Sequence, residues 1–204
     1  YPYWSVWKER GKIPILPAIT SLPSPSVPAL TGGKKTHVFL SHDWGIDGNN
    51  HHRVKQVSEA LKSRGLVTWI DEERLVNEID EKIIDGIDHT ECMLVFVTEN
   101  YVRKVNGGNE WDYCKREFKY GCSRLGVDRL IVVVLDEAMK DSSKWHGLIR
   151  FNLGSVMYYD LSTIFEASSC ESEESVNGLM DGLYEKIFTT ITGHKPQKEN
   201  DSSK

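Results

Sequence analysis

Residues 36–45 read THVFLSHDWG, residues 51–65 HHRVKQVSEALKSRG and residues 66–79 LVTWIDEERLVNEI. The first is a short apolar strand that ends abruptly in a polar loop closed by glycine. The second has Val54, Val57, Ala60 and Leu61 on one face of a helix at about 51–64. The third is a second strand, at 66–70, followed by an acidic loop. This is a β–α–β unit, and both of its strands end in loops rich in Ser, His, Asp, Glu and Trp. In an open parallel sheet such loops share one edge, where ligands bind.

The alternation continues outward. Ile79, Ile83, Ile84 and Ile87 mark a helix at about 80–89. CMLVFV at 92–97 and LIVVVL at 130–135 are continuous apolar runs, expected for central parallel strands buried on both faces. Between them lies a helix near 110–124. A strand at 155–159 and a helix at about 175–192 close the unit. That last helix carries Val176, Leu179, Met180, Leu183, Ile187 and Ile191 at helical spacing. The pattern predicts a flavodoxin-like, doubly wound α/β fold: five parallel strands in the order 2-1-3-4-5, with helices on both faces.

Six of the seven prolines fall between Pro2 and Pro28, so residues 1–34 read as a proline-rich arm or linker that adds no strand. Residues 35–193 form the domain, STIFEASSCESEE at 162–174 is a polar loop, and residues 194–204 read as a disordered tail.

The formal charge of −5 argues against a general affinity for nucleic acid or acidic membrane. No apolar stretch approaches a membrane span. The four cysteines, at 92, 114, 122 and 170, show no CxxC pair. Cys92 inside an apolar strand points to a reduced thiol and a cytoplasmic protein. There is no GxGxxG after a strand, no GxxxxGK[ST] and no GxSxG. A response-regulator receiver would need an Asp at the end of strand three, where this chain has Thr98. His51 and His52 point in different directions on a helix, so they read as surface residues and not as metal ligands.

In the predicted strand order the chain reverses between strands one and three. The crevice there would be lined by the loops after Leu40 and Val97 and bordered by the helix that follows strand three. On a helical wheel Trp111, Cys114, Phe118, Cys122 and Leu125 share the core face of that helix. Tyr113, Glu117, Tyr120 and Arg124 form the adjacent stripe. Glu117 therefore sits where burial ends: either an ordinary helix-edge carboxylate, or one desolvated for acid, base or electrostatic work.

With these residues in place, the chain from about 36 to 192 resembles the TIR (Toll/interleukin-1 receptor) domain. HVFLSHDWG looks like the family's first-strand motif and TWIDEERL like the strand entering its BB loop. IIDGIDHTECMLVFVTENYV looks like the second helix, third strand and Ser/Thr-x-x-Tyr that follow. Some TIR domains are scaffolds that assemble through the BB loop. Others cleave NAD+ at the nicotinamide–ribose bond, with a catalytic Glu in Trp-Cys-x-x-Glu or a close variant. Residues 111–118 read WDYCKREF, and the Cys-x-x-Glu spacing maps that role onto Glu117. Trp111 stands two residues farther from Cys114 than the pattern has it.

The resemblance implies an NAD+ hydrolase activated by self-association, with NAD+ as substrate, no cofactor and no metal. It also implies contacts with other TIR domains and a place in innate-immune-type signalling. The alternatives are a non-catalytic TIR interaction module and, further off, another base-exchanging or nucleoside-cleaving enzyme. Ser41, His42, Asp43 and Trp44 would border the nucleotide, with Asp71 and Trp111 beside them. Several NAD-cleaving relatives have arginines where this chain has Asp43 and Trp44. Trp44 either stacks on a base or packs against the arm, and Asp71 either contacts ribose or simply ends its strand. Glu73, Arg74, Asn77 and Ile79 would make the partner-binding loop. Asn77 tolerates the left-handed turn that relatives give to Gly, and the loop's acidity calls for a basic partner surface.

Overall fold

The computed structural model describes residues 27–71, 79–165 and 172–196. Five parallel strands form one sheet: β1 (Thr36–Ser41), β2 (Thr68–Trp69), β3 (Thr90–Val97), β4 (Leu130–Val134) and β5 (Tyr158–Asp160). Their order is β2-β1-β3-β4-β5, as the sequence predicts. The register pairs Leu40 with Leu94 and Val95 with Val132. Six helices pack on it: α1 (Asn49–Lys62), α2 (Ile79–Asp88), α3 (Glu99–Asn106), α4 (Tyr113–Leu125), α5 (Gly147–Leu153) and α6 (Glu173–Thr192).

Alternation along the strands divides the core in two. Val38, Leu40, Leu94, Phe96, Ile131 and Val133 face α1 and α6. Phe39, Met93, Val95, Val97, Val132 and Val134 face α2 to α5. All eight residues of β3 are buried, because the strand is covered on both faces. On the second face Trp69 stacks on Phe39 with centroids 4.3 Å apart. α4 lies very close to β3 there: a Cβ at Gly121 would come within 2.6 Å of Met93 Cε.

Three elements, β2, β5 and α4, depart most from the sequence reading. β2 spans two residues, not five. His37 Nδ1 accepts the Val67 amide at 2.8 Å, while the Val67 carbonyl meets His37 N–H, so the edge is tied off by a side chain before the ladder begins. β5 starts at Tyr158, not 155, because Val156 N–H returns to Leu153 O in a turn that finishes α5. α4 starts at Tyr113, not 110, because residues 109–112 form a turn ended by the cap Asp112. Trp111 therefore leaves the core face predicted for it: it is 77% exposed, with Arg116 over its ring.

The end of the predicted arm packs on the domain without adding a strand. His37 Nε2 donates to Pro28 O at 2.8 Å, and Thr31 Oγ1 donates to the buried Glu91 at 2.8 Å. No described helix is long and apolar enough to cross a membrane.

Candidate functional site

Glu117 stands on the second turn of α4. Asp112 starts that helix by accepting the Cys114 amide at 2.9 Å. Cys114 and Phe118 then turn into the core. Arg116 forks onto both oxygens of Asp80, each contact 2.8 Å, which fixes α4 against α2. Glu117 lands beside the end of β1 and is only 6% exposed, deeper than the helix edge the wheel assigned to it. Ser41 Oγ donates to Glu117 Oε2 at 2.7 Å, and Tyr101 OH lies 2.9 Å from Ser41 Oγ. Cys114 Sγ meets His42 O at 3.5 Å, a second tie between α4 and the loop after β1. Burial holds the Cys114 thiol well above its ordinary pKa, and the Glu117 charge adds to that.

The loop after β1 points its side chains in two directions. Asp43 is fully buried. It accepts from Thr98 Oγ1, from Asn100 Nδ2 at 2.8 Å, from Asn50 Nδ2 at 3.2 Å and from Gly45 N–H at 2.8 Å. Burial alone would raise its pKa. The hydrogen bonds from Thr98, Asn100, Asn50 and Gly45 outweigh it and hold the carboxyl below the ordinary value. Asp43 thus knots the β1 loop, α1 and the start of α3 together.

His42 Nδ1 lies 3.0 Å from Leu40 O, and a carbonyl only accepts, so this nitrogen carries the proton. In the neutral ring His42 Nε2 then accepts from His51 Nδ1 at 2.9 Å. Trp44 stacks on His51, centroids 4.2 Å apart and planes 18° from parallel. His51 therefore stands half-buried behind His42 and Trp44, two residues of the small cavity's wall, and is not the plain surface residue its position on the wheel suggests.

Two cavities flank this loop. One is small, about 20 Å³, and is lined by Leu40, His42, Trp44, Asp71, Tyr113, Cys114 and Glu117. That is room for about one water molecule. The other is an open cleft of about 930 Å³ at the carboxyl ends of β1, β3 and β4. Arg53, Arg103, Lys144 and His146 line it, with Glu99 and Asp136. The single crevice expected from the sequence is thus divided, and the residues after Val97 line the large cleft and not the Glu117 cavity.

Of the residues singled out in the sequence, His42, Trp44, Asp71 and Glu117 converge on the small cavity. Ser41 and Asp43 are sealed beneath the loop, with their side chains spent on protein partners. Trp111 lies outside on its turn. The aromatic that lines the cavity beside Glu117 is Tyr113, at i−4 on the same helix; its place in the Glu117 stripe was the signal that could have found it. Ile79 is the half-buried first residue of α2. Glu73, Arg74 and Asn77 lie outside the described residues. No group of three or more His, Cys, Asp or Glu able to hold a metal occurs among the described residues. No Lys or Arg lines the small cavity.

The doubly wound sheet in the order β2-β1-β3-β4-β5 defines the class, an open parallel α/β domain. The TIR domain family profile matches residues 38–173, well over half of the chain. The chain belongs to the TIR domain family. A search of curated proteins returned no match. Among solved structures, the chain is similar to a metazoan TIR-STING receptor from C. gigas in complex with 2',3'-cGAMP, at 15% identity and a TM-score of 0.49. That alignment covers 76% of this chain and 42% of the other.

Proposed function

We propose that this TIR domain is an NAD+ hydrolase that acts when self-associated, with Glu117 as its catalytic residue. The observation that carries the reading is the placement of Glu117: a buried carboxylate, held by a serine hydroxyl, at the wall of an aromatic-lined cavity beside the first-strand loop. The reaction suits one carboxylate. The bond between ribose C1′ and the nicotinamide nitrogen breaks, and its electron pair leaves with the nitrogen. Nicotinamide departs neutral, so no acid is needed. The ribosyl cation left behind is stabilised by the Glu117 charge. Water adds its oxygen to C1′ and releases a proton, giving ADP-ribose.

The cavity's size and its lining explain why association belongs to the proposal. A ligand site for a molecule of this size needs hundreds of Å³, so the walls must part before a nicotinamide can enter. The diphosphate needs cations, and a second copy of the chain is the proposed source. Among this chain's own described residues they line the neighbouring cleft instead.

The same two observations favour a second reading, a TIR module that assembles without catalysis. One measurement separates the two. Purified protein is incubated with NAD+ at low and high protein concentration and free nicotinamide is quantified. The enzyme reading expects release per molecule to rise with concentration. No release at any concentration would leave the scaffold reading in its place.

A further inference from the structure

We propose that Tyr101 and Ser41 form a buried, one-directional hydrogen-bond relay that positions the Glu117 carboxylate, making both of them positioning residues for the reaction. The inference rests on the reading of Glu117 given above and deepens it.

Donor accounting fixes the direction. A serine hydroxyl has one proton. Ser41 gives it to Glu117 Oε2 at 2.7 Å, because an ionised carboxylate only accepts. The 2.9 Å contact between Ser41 Oγ and Tyr101 OH must then run from tyrosine to serine. Tyr101 can fill that role at any ordinary pH: burial holds its phenol well above the usual pKa, with the Cys114 and Glu117 charges adding to it. Tyr101 and Ser41 are both fully buried, so water does not compete for either bond.

The far end of the relay is anchored too. Tyr101 N–H donates to Thr98 Oγ1 at 3.0 Å, and Thr98 spends its own proton on Asp43. Thr98 is the N-cap of α3, so the turn of helix that presents the phenol is locked to the knot under the β1 loop. Ser41 ends β1 and is paired with Val95 in the ladder, so its position is set by the sheet. A carboxylate on a helix has three side-chain torsions. This relay restrains its outer end through the hydroxyl of Ser41 on β1, itself backed by Tyr101 on α3. Charge-directed, rigidly held donors of this kind supply preorganisation at no cost during the reaction.

The test uses Ser41→Ala, Tyr101→Phe and Ser41→Thr in the whole chain, with two readouts. The first is nicotinamide release at saturating and limiting NAD+. A hydrogen bond to a charged group contributes about 1.5–3 kcal/mol, so Ser41→Ala should lower kcat about ten- to a hundredfold with KM within about twofold. Tyr101→Phe, one bond removed from the carboxylate, should lose less, and Ser41→Thr, which keeps the hydroxyl, should recover most of the loss. The second readout needs no catalysis: the titration of the Glu117 carboxylate by carbon NMR with labelled Glu, assigned by its disappearance in Glu117→Gln. Other groups titrate nearby. His42, Asp71, Tyr113 and Cys114 line the same cavity and Tyr101 stands behind Ser41, so the comparison is always variant against parent. Loss of a donor to the charged form should move the Glu117 titration to higher pH by about one unit in Ser41→Ala, and by less in Tyr101→Phe.

A packing role for the two residues would lower Tm and leave both readouts in place, and that result overturns the relay. If the parent releases no nicotinamide, the hydrolase reading fails alone and the titration still decides the relay. If Ser41→Ala does not fold, Tyr101→Phe, which removes a single oxygen, carries the test.

Discussion

The two cavities beside the first-strand loop are opposites. One is open, about 930 Å³, with Arg53, Arg103, Lys144 and His146 on its walls. The other holds about 20 Å³ and is walled by aromatics, a thiol and two carboxylates. The loop that separates them is pinned by Asp43, whose charge is matched by four donors from the protein itself. Glu117 is nearly as deeply buried, yet it borders empty space. One buried carboxylate holds the fold together and the other faces a cavity. The proposed reading does not follow volume: the larger space and the Glu117 carboxylate lie on different sides of one loop.

The strongest way to break this contrast is to remove the partition. Asp43→Ala leaves the Thr98, Asn100, Asn50 and Gly45 donors without their acceptor. A buried donor left unsatisfied costs about 1–3 kcal/mol, and the midpoint of urea unfolding should fall by at least that much. A shift under about 1 kcal/mol would mean that Asp43 is not the knot.

Glu117→Gln tests the other side. If the charge stabilises a ribosyl cation, nicotinamide release should fall by roughly two to three orders of magnitude. The melting temperature should move by only a few degrees, because the isosteric change opens no cavity. A variant with parental release ends the catalytic assignment.

Acid should separate the two carboxylates further. The folded-state pKa of Asp43 lies below the ordinary 3.8. Its contribution is therefore fully present above the unfolded value and is lost as pH falls through the folded one. Urea midpoints taken from pH 6 to pH 3 should drop for the parent below about pH 4 and change less for Asp43→Asn. Parallel curves would refute the assignment.

The smallest effects concern which aromatic serves the site. Tyr113→Ala should reduce nicotinamide release several-fold, because that ring lines the cavity. Trp111→Ala, on its exposed turn, should change release less than twofold and stability by less than about 0.5 kcal/mol. The reverse ranking would restore Trp111 to the site.

The strand order and the two-faced core were legible because β3 and β4 are continuous apolar runs and the helices around them carry wide apolar faces. The sheet's edges were less so. At β2 and β5 pairing stops where a side chain or a helical turn takes over the amides, and no periodicity records that. α3 and α5 passed unread for a different reason. Each is under three turns long, and α5 carries Phe151 87% exposed, which blurs its stripe. At the site, the wheel left Glu117 an ordinary helix-edge carboxylate, and it was the TIR resemblance, through the Cys-x-x-Glu spacing, that singled it out. The error at Trp111 came from running the helix three residues too far back, although Asp112 is a good cap and was there to be read. The bond from Ser41 to Glu117 joins residues 76 apart in the chain, and only the register of β1 against α4 creates it.

Gly121 gives this geometry an unexpected vulnerability. It stands one turn after Glu117, where α4 rides directly on Met93. A single methyl group at that position has to displace the Met93 thioether, the flexible end of a side chain that is itself fully buried. The clearance of a glycine over a thioether thus lets α4 run close to β3 on the turn after the 2.7 Å hydrogen bond of Glu117. One alanine at position 121, carrying no charge, presses on Met93 and so on the sheet face beneath this turn of α4, while keeping every residue named at the site.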